Sequence, residues 1–132
     1  MEISPVVKRK QLLLVEPQSL FRRTLATVAR QIAAVDIIET SSHESAREVL
    51  EKRYIDGLML NIGDGLDSLA MLQALRHGQT RNSRNLPVAL MAEAVDPATI
   101  ELFKSMHPQR IMLMPFKVKT ALEVVTALAG DS

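Results

Sequence analysis

Two polar residues that could do chemistry stand directly after short apolar segments of this sequence. Glu16 follows the apolar run 11–15, and Asn61 follows Leu58-Met59-Leu60 and precedes a glycine-rich turn. A strand without polar alternation is typical of the middle of a parallel sheet, where both faces are covered. Such sheets bind ligands beyond the carboxyl ends of their strands. The sequence therefore predicts a polar site that contains a carboxylate and an amide at one edge of a sheet.

Composition excludes several kinds of function. The chain has 132 residues and no cysteine, which indicates one domain without disulfides, zinc-thiolate sites or a cysteine nucleophile. The net charge is +1 and aromatic residues make up 3%, so we expect no nucleic-acid binding by this domain. No segment approaches the roughly 20 apolar residues of a membrane span, and residues 1–10 lack the apolar run of a signal peptide. We expect a cytoplasmic protein with no membrane contact.

The hydrophobic pattern predicts strands and helices in strict alternation. The predicted strands are 11–15, 35–39, 54–61, 86–91 and 110–114, and the helices follow them at about 19–33, 41–50, 67–75, 96–106 and 118–129. This order predicts an α/β fold, a doubly wound five-stranded parallel sheet with right-handed crossovers. We expect residues 1–9 to form a flexible leader and residues 10–130 to form the domain.

Turn and capping residues predict where the helices begin. Ser19 is a candidate N-cap for the first helix, Ser41 with Glu44 suggests a capping box, and Asp67 is a candidate cap for the third helix. Asp96-Pro97 is a further helix start. The segment 76–85 contains three arginines and is predicted to be a solvent-exposed loop. The three histidines, which are scattered through separate elements, are expected at the surface: His43, His77 and His107.

Several short motifs, taken in order, resemble those of response-regulator receiver domains. The motifs are Leu14-Val15-Glu16-Pro17, Asp56-Gly57-Leu58-Met59-Leu60-Asn61, Asp67-Ser68-Leu69, Leu86-Pro87-Val88 and Met114-Pro115-Phe116. Each is weak alone, but their order and spacing are fairly specific, and they span about residues 10–129. The resemblance implies the flavodoxin-like fold with strand order 2-1-3-4-5.

The resemblance also implies that the phosphorylation site of the family is dismantled here. The family uses two acidic magnesium ligands, a phosphoacceptor aspartate, a hydroxyl residue and a lysine. The matching positions in this sequence are Glu16, Pro17, Asn61, Ala92 (or Met91, if the loop is one residue shorter) and Met114. An amide cannot attack phosphorus as a carboxylate does, and one acidic ligand is a poor magnesium site. We therefore expect no metal, no cofactor, no aspartyl phosphate and no enzymatic activity.

The leading hypothesis is a degenerate pseudo-receiver, which acts in signal transduction through protein–protein contact or dimerisation without phosphorylation. One alternative is a small-ligand module in which Met114 and Ala92 line the emptied pocket and Asn61 and Glu16 anchor the ligand. Another is an atypical receiver that is phosphorylated on Asp64. If Asn61 has no ligand role, its amide is expected to bond the neighbouring loop, and Glu16 is expected to bond backbone groups.

A partly exposed apolar surface is the predicted route to a partner. On the fourth predicted helix the apolar side chains span about 160° of arc, more than a core-facing stripe needs. The candidate interface residues are Ile100, Leu102, Phe103, Met106 and Val124. Receivers commonly dimerise through the face formed by helix 4, strand 5 and helix 5, so the resemblance points to the same surface. The partner is expected to be another protein or a second copy, and an output domain beyond residue 132 is possible.

Overall fold

Five parallel strands alternate with five helices in the computed structural model, which describes residues 9–31, 35–63 and 65–130. The strands are β1 (Lys10–Val15), β2 (Val35–Thr40), β3 (Gly57–Asn61), β4 (Val88–Ala92) and β5 (Arg110–Leu113). The helices are α1 (Ser19–Ala29), α2 (His43–Lys52), α3 (Leu66–Arg76), α4 (Pro97–Lys104) and α5 (Val118–Leu128).

The strand order in the sheet is β2-β1-β3-β4-β5, and all pairs are parallel. The predicted fold class and strand order are therefore confirmed. In the register of the central strands Val15 pairs with Leu60, and Asn61 pairs with Met91. The carboxyl ends of β1, β3 and β4 consequently lie side by side at one edge of the sheet.

Alternate residues of the central strands enter two separate cores. Leu13 and Leu58 pack in a core with α2, α3 and Phe103 of α4, whereas Leu12 and Met59 pack in a core with α1 and α5. Both faces of β1, β3 and β4 are thus covered, which explains their unbroken apolar sequence. Gly57 allows β3 to lie close to Leu12 of β1 and Leu128 of α5, because a Cβ at position 57 would lie 2.9 Å from Leu12 Cδ2 and 3.1 Å from Leu128 Cβ.

Three predicted helix starts are wrong by one or two residues. Ser19 is the first residue of α1 and Gln18 is its N-cap, because the backbone is still extended at Gln18. α2 is capped by Ser42, whose hydroxyl accepts a hydrogen bond from the Ser45 amide, and not by a Ser41–Glu44 capping box. α3 follows Gly65, at φ 65°, so Asp67 lies in the first turn.

The first and fourth helices are shorter than the pattern predicts. α1 ends at Ala29, and its buried face is Leu25, Ala26 and Ala29. Residue 32, the last position of the predicted stripe, lies outside the described residues. α4 ends at Lys104, and its predicted start is confirmed, because the Asp96 carboxylate accepts from the Thr99 amide at 3.0 Å. That backbone bond lowers the pKa of Asp96.

The predicted loop 76–85 is exposed at most of its positions, but two of its polar side chains bond backbone groups of other segments. Arg76 is half-buried and donates to the carbonyl oxygens of Met106 (2.8 Å), Arg84 (3.0 Å) and Leu86 (2.7 Å). Burial lowers the pKa of the Arg76 guanidinium. A guanidinium has five N–H donors in a fixed fork, so one side chain can satisfy several carbonyls of different segments.

Asn82, in the same segment, is buried and bonds three backbone groups. Its Oδ1 accepts from the Ile55 amide at 2.7 Å, and its Nδ2 donates to the carbonyls of Leu50 (2.9 Å) and Arg53 (2.8 Å). These contacts fix the turn that leads from α2 into β3.

Arg9, the last residue of the predicted leader, contacts the start of β2. Residues 1–8 lie outside the described residues. Arg9 donates to Asp36 Oδ1 at 2.7 Å and to the Val35 carbonyl at 2.8 Å. The hydrogen bond from Arg9 lowers the pKa of Asp36.

Candidate functional site

A cleft of about 410 Å³ lies at the edge of the sheet where β1, β3, β4 and β5 end. Its lining residues come from the loops that follow these strands: Glu16, Pro17, Gln18, Asn61, Gly63, Glu93, Ala94 and Met114. The structure therefore brings together four of the five predicted site residues, as the topology requires. Asp64, the candidate alternative phosphoacceptor, lies outside the described residues.

The Asn61 amide is held at both ends by the protein. Its Nδ2 donates to Glu16 Oε1 at 2.7 Å, and its Oδ1 accepts from the Gly63 amide at 2.7 Å. The backbone carbonyl of Asn61 accepts from the Ser68 hydroxyl at 3.1 Å. Asn61 thus ties β1 to β3 and orders the start of the β3–α3 loop, as expected for an amide that bonds its own loop.

Glu16 is 2% exposed, although it carries a carboxyl group. Oε1 accepts from Asn61, and Oε2 accepts from the Gln18 amide at 2.9 Å. Buried carboxylates require partners of this kind, because desolvation of an unpaired charge is costly. Both oxygens of Glu16 therefore have structural partners, one of them a backbone amide as expected.

The predicted role of Ala92 in the cleft is wrong. Ala92 is fully buried in β4, and Met91, the alternative, is also fully buried. Ala92 pairs with Leu113 of β5, and its carbonyl accepts a hydrogen bond from the Met114 amide at 2.7 Å. Its side chain packs in the core with α2, α3 and α4. The exposed Glu93, which the sequence analysis missed, lines the cleft instead. The cleft therefore has two carboxylates, Glu16 and Glu93.

Met114 and Pro17 give the cleft an apolar rim. The Met114 sulfur lies 4.0 Å from Asn61 Nδ2, at the limit of a weak hydrogen bond. Pro17 is exposed at the end of β1 and has no side-chain oxygen. The Met114–Pro115 peptide bond is cis.

A second polar contact lies behind Asn61, and the sequence analysis missed it. Ser68 of α3 is fully buried, and His43 of α2 places Nε2 2.9 Å from the Ser68 hydroxyl. His43 is half-buried, so it is less exposed than the sequence predicts. Because Ser68 donates to the Asn61 carbonyl, this contact links α2 and α3 to the carboxyl end of β3.

The residues at this edge do not fit the magnesium ion that the family resemblance implies. Both Glu16 oxygens already accept hydrogen bonds, and Pro17 replaces the second acidic ligand. Within residues 9–31, 35–63 and 65–130, no group of three or more histidine or acidic side chains is arranged to hold a metal. Magnesium usually requires carboxylates together with phosphate oxygens.

Two of the five predicted interface residues are buried. Phe103 and Val124 are each 1% exposed and pack in the two cores, so they cannot contact a partner. Leu102 is 52% exposed, and Ile100 and Met106 are half-buried. Two exposed residues that were not predicted add to this side: Leu113 (60%) and Val118 (57%).

Solved structures with the same fold include several receiver domains. The receiver domain of Francisella response regulator 1452 matches with a TM-score of 0.76 and 16% identity, over 92% of this chain and 98% of that chain. The receiver domain of the putative response regulator NarL from Mycobacterium tuberculosis matches with a TM-score of 0.78 and 16% identity, over 95% and 99%. The fold is that of a response-regulator receiver domain. The receiver fold is shared equally with the Vibrio cholerae chemotaxis protein CheY4 (TM-score 0.77, 13% identity, 91% and 98% coverage).

Similarity at the level of sequence is weaker than similarity of structure. The sequence matches no protein-family model and no curated protein. The receiver fold therefore rests on the strand order and on these structural matches. In the described residues, no helix has the length and apolar character needed to cross a bilayer.

Proposed function

We propose that this receiver fold works without phosphorylation, as a protein interaction module in signal transduction. The observation that carries the proposal is the position of Asn61. Its amide stands at the end of β3, where the family resemblance places the phosphoacceptor, and it is bonded on both sides by Glu16 and Gly63. A carboxamide in this arrangement is a structural link, with neither the charge nor the free oxygen that phosphoryl transfer requires.

The surroundings of Asn61 support the same proposal. A phosphorylated aspartate needs cations to offset its charge, yet the cleft has Met114 at the position matched to the lysine of the family. It also has two carboxylates, Glu16 and Glu93, which would repel a phosphoryl group.

The surface of α4, β5 and α5 is the proposed contact with a protein partner or a second copy. More than half of the surface of each of three apolar residues is exposed: Leu102 of α4, Leu113 of β5 and Val118 of α5. Single exposed apolar residues are common on monomers, but three on consecutive elements around the edge strand β5 favour an interface. The charged residues beside them are paired with each other, Lys104 with Glu101 and Arg110 with Glu123.

Incubation with acetyl phosphate and magnesium tests the proposal directly. We expect the intact mass of the protein to stay unchanged, because the described residues at the end of β3 provide neither an acceptor carboxylate nor a metal site. The positive control is a receiver domain that has the phosphoacceptor aspartate and is treated under the same conditions. A stable gain of one phosphoryl group on this chain would contradict the proposal, and peptide mapping would then show whether Asp64 accepts it.

The cleft itself favours a second candidate function, the binding of a small ligand. Its volume of about 410 Å³ lies within the usual range of ligand pockets, and Met114 offers an apolar wall beside the Asn61 amide. With two carboxylates in the lining, the ligand would be neutral or cationic. A thermal-shift screen of neutral and amine-bearing metabolites is expected to give no hit under the leading proposal. A hit that is lost in Met114→Lys and kept in Leu113→Lys would support the ligand function instead.

A further inference from the structure

The side chain of Met114 borders two cavities at the edge of the sheet. It lines the cleft, and it also lines a second pocket of about 340 Å³, whose walls include Phe21 and Pro115. The Met114 side chain is half-buried. A molecule as small as hydrogen peroxide therefore has room to approach this thioether without a movement of the backbone.

The other methionines of the described segments have different surroundings. Four of them lie in the two cores and are 3% exposed or less: Met59, Met71, Met91 and Met112. Met106 is half-buried, but it packs beside the core of Phe103 and lies outside the cleft. Because oxidation of sulfur side chains follows their exposure, we expect Met114 and Met106 to react before the four core methionines.

An amide donor lies beside the sulfur of Met114. The Nδ2 atom of Asn61 carries two N–H groups. It donates to Glu16 Oε1 at 2.7 Å, and it also lies 4.0 Å from the Met114 sulfur. A thioether is only a weak acceptor, so the contact with Met114 is a poor hydrogen bond. An oxygen atom bonded to the sulfur on that side would lie nearer to Nδ2 and would be a stronger acceptor.

Hydrogen peroxide supplies such an oxygen by a two-electron oxidation of the sulfur. A sulfur lone pair attacks one peroxide oxygen, the O–O bond breaks, and an S–O bond forms. The other oxygen leaves as water with both peroxide hydrogens, and the product is methionine sulfoxide. The oxidation converts an apolar side chain into a polar one, and methionine sulfoxide reductases reverse it.

The position of Met114 allows the fold to accommodate a sulfoxide. At a core methionine the new oxygen would be buried among apolar side chains, and burial of a polar group without a hydrogen bond is costly. At Met114 the oxygen would face the cleft and the Asn61 amide. Oxidation at this residue is therefore expected to change the cleft locally and to leave the domain folded.

We propose that Met114 is a reversible oxidation site, at which hydrogen peroxide forms a sulfoxide that accepts a hydrogen bond from the Asn61 amide. This bond would join the end of β3 to the residue that follows β5. Leu113, the neighbour of Met114, belongs to the proposed contact surface, so oxidation would give that surface an input that needs no phosphoryl group. Only this consequence rests on the proposed function. The acetyl phosphate experiment does not test the oxidation site, so either idea can fail without the other.

The test uses the full chain, labelled with ¹⁵N and treated with dilute hydrogen peroxide. Peptide mapping by mass spectrometry follows each methionine, and we expect Met114 to be oxidised at least about tenfold faster than the four core methionines. The side-chain NH₂ signals of Asn61 should shift on oxidation. They should return after treatment with the two sulfoxide reductases, one for each sulfoxide epimer. The urea midpoint should stay nearly unchanged.

Two variants assign the shift to a single sulfur. Met114→Leu keeps a similar side-chain volume without sulfur, so peroxide should no longer move the Asn61 signals. Met106→Leu removes the other half-buried methionine and should leave the shift as it is in the unmodified protein.

Four results would overturn the proposal. The first is oxidation of Met114 no faster than that of the core methionines. The second is an oxidised Met114 with unmoved Asn61 signals, and the third is a peroxide-dependent shift that persists in Met114→Leu. The fourth is unfolding of a chain that is oxidised at Met114 alone, which would identify damage to the domain and not a reversible modification.

Discussion

The Asn61→Asp variant is expected to lose about 3 kcal/mol of stability at neutral pH and to remain unphosphorylated. The reason is the 2.7 Å contact between Asn61 Nδ2 and Glu16 Oε1. The substitution replaces a donor by a second carboxylate, and a buried charge that loses its partner costs about 3 kcal/mol or more. The measurement is the urea midpoint, with the slope checked for two-state unfolding.

The stability of this variant should also depend on pH. The pKa of the introduced carboxyl should be raised in the folded state, because two carboxylates in contact disfavour each other's ionised form. A group whose folded-state pKa is raised binds its proton more tightly in the native protein. The deficit is therefore full at neutral pH and shrinks as the pH falls and the new carboxyl is protonated.

Two controls distinguish repulsion by Glu16 from a general loss of stability on adding a negative charge. Asn85→Asp makes the same chemical change at an exposed loop position and should shift stability by less than about 0.5 kcal/mol. In the double variant Asn61→Asp/Glu16→Gln the like-charge contact is removed, and most of the lost stability should return. A stable Asn61→Asp protein that is labelled by acetyl phosphate would show that the edge of the sheet accommodates magnesium and phosphate after all.

Asn82→Ala is expected to cost about 3 kcal/mol, although it lies in a segment of polar sequence. The Asn82 side chain is the partner of the Ile55 amide and of the Leu50 and Arg53 carbonyls. Alanine would leave these backbone groups without that partner, and each unsatisfied buried group costs about 1–3 kcal/mol. Chemical denaturation measures the change.

Asn85→Ala is the matched control for this prediction. The same substitution in the same segment removes a side chain that is exposed, so stability should change by less than about 0.5 kcal/mol. If the two variants unfold at the same urea concentration, water replaces the Asn82 contacts without cost and the role assigned to Asn82 is wrong.

The sequence predicted the strands better than the ends of the helices. Continuous apolar runs such as Leu12–Val15 leave few alternatives to a central strand, and the strand order followed from the family resemblance. Helix starts depend on the backbone angles of one residue, which composition does not reveal. Ser41 and Ser42 are equally good caps by type, and only the extended backbone at Ser42 identifies it as the cap.

Topology predicted which strand ends form the candidate site. It did not predict which of two neighbouring residues directs its side chain into the cleft. Glu16, Asn61 and Met114 meet because strand ends in a parallel sheet must meet. Ala92 and Glu93 are adjacent in sequence, yet the first is buried in a strand and the second faces the cleft. Arg76 and Asn82 were missed for another reason. A polar residue in a polar segment gives no sign of burial until the carbonyls around it are known.

The contacts of Arg76 and Asn82 have a consequence for how this domain could be built into a longer polypeptide. Both side chains bond backbone at the end of the sheet remote from the Asn61 cleft, where β3, β4 and β5 begin. New chain termini or an inserted domain between residues 79 and 87 would separate the donors from their carbonyls. Fusions and permuted versions should therefore avoid this segment, where they would break the contacts of Arg76 and Asn82.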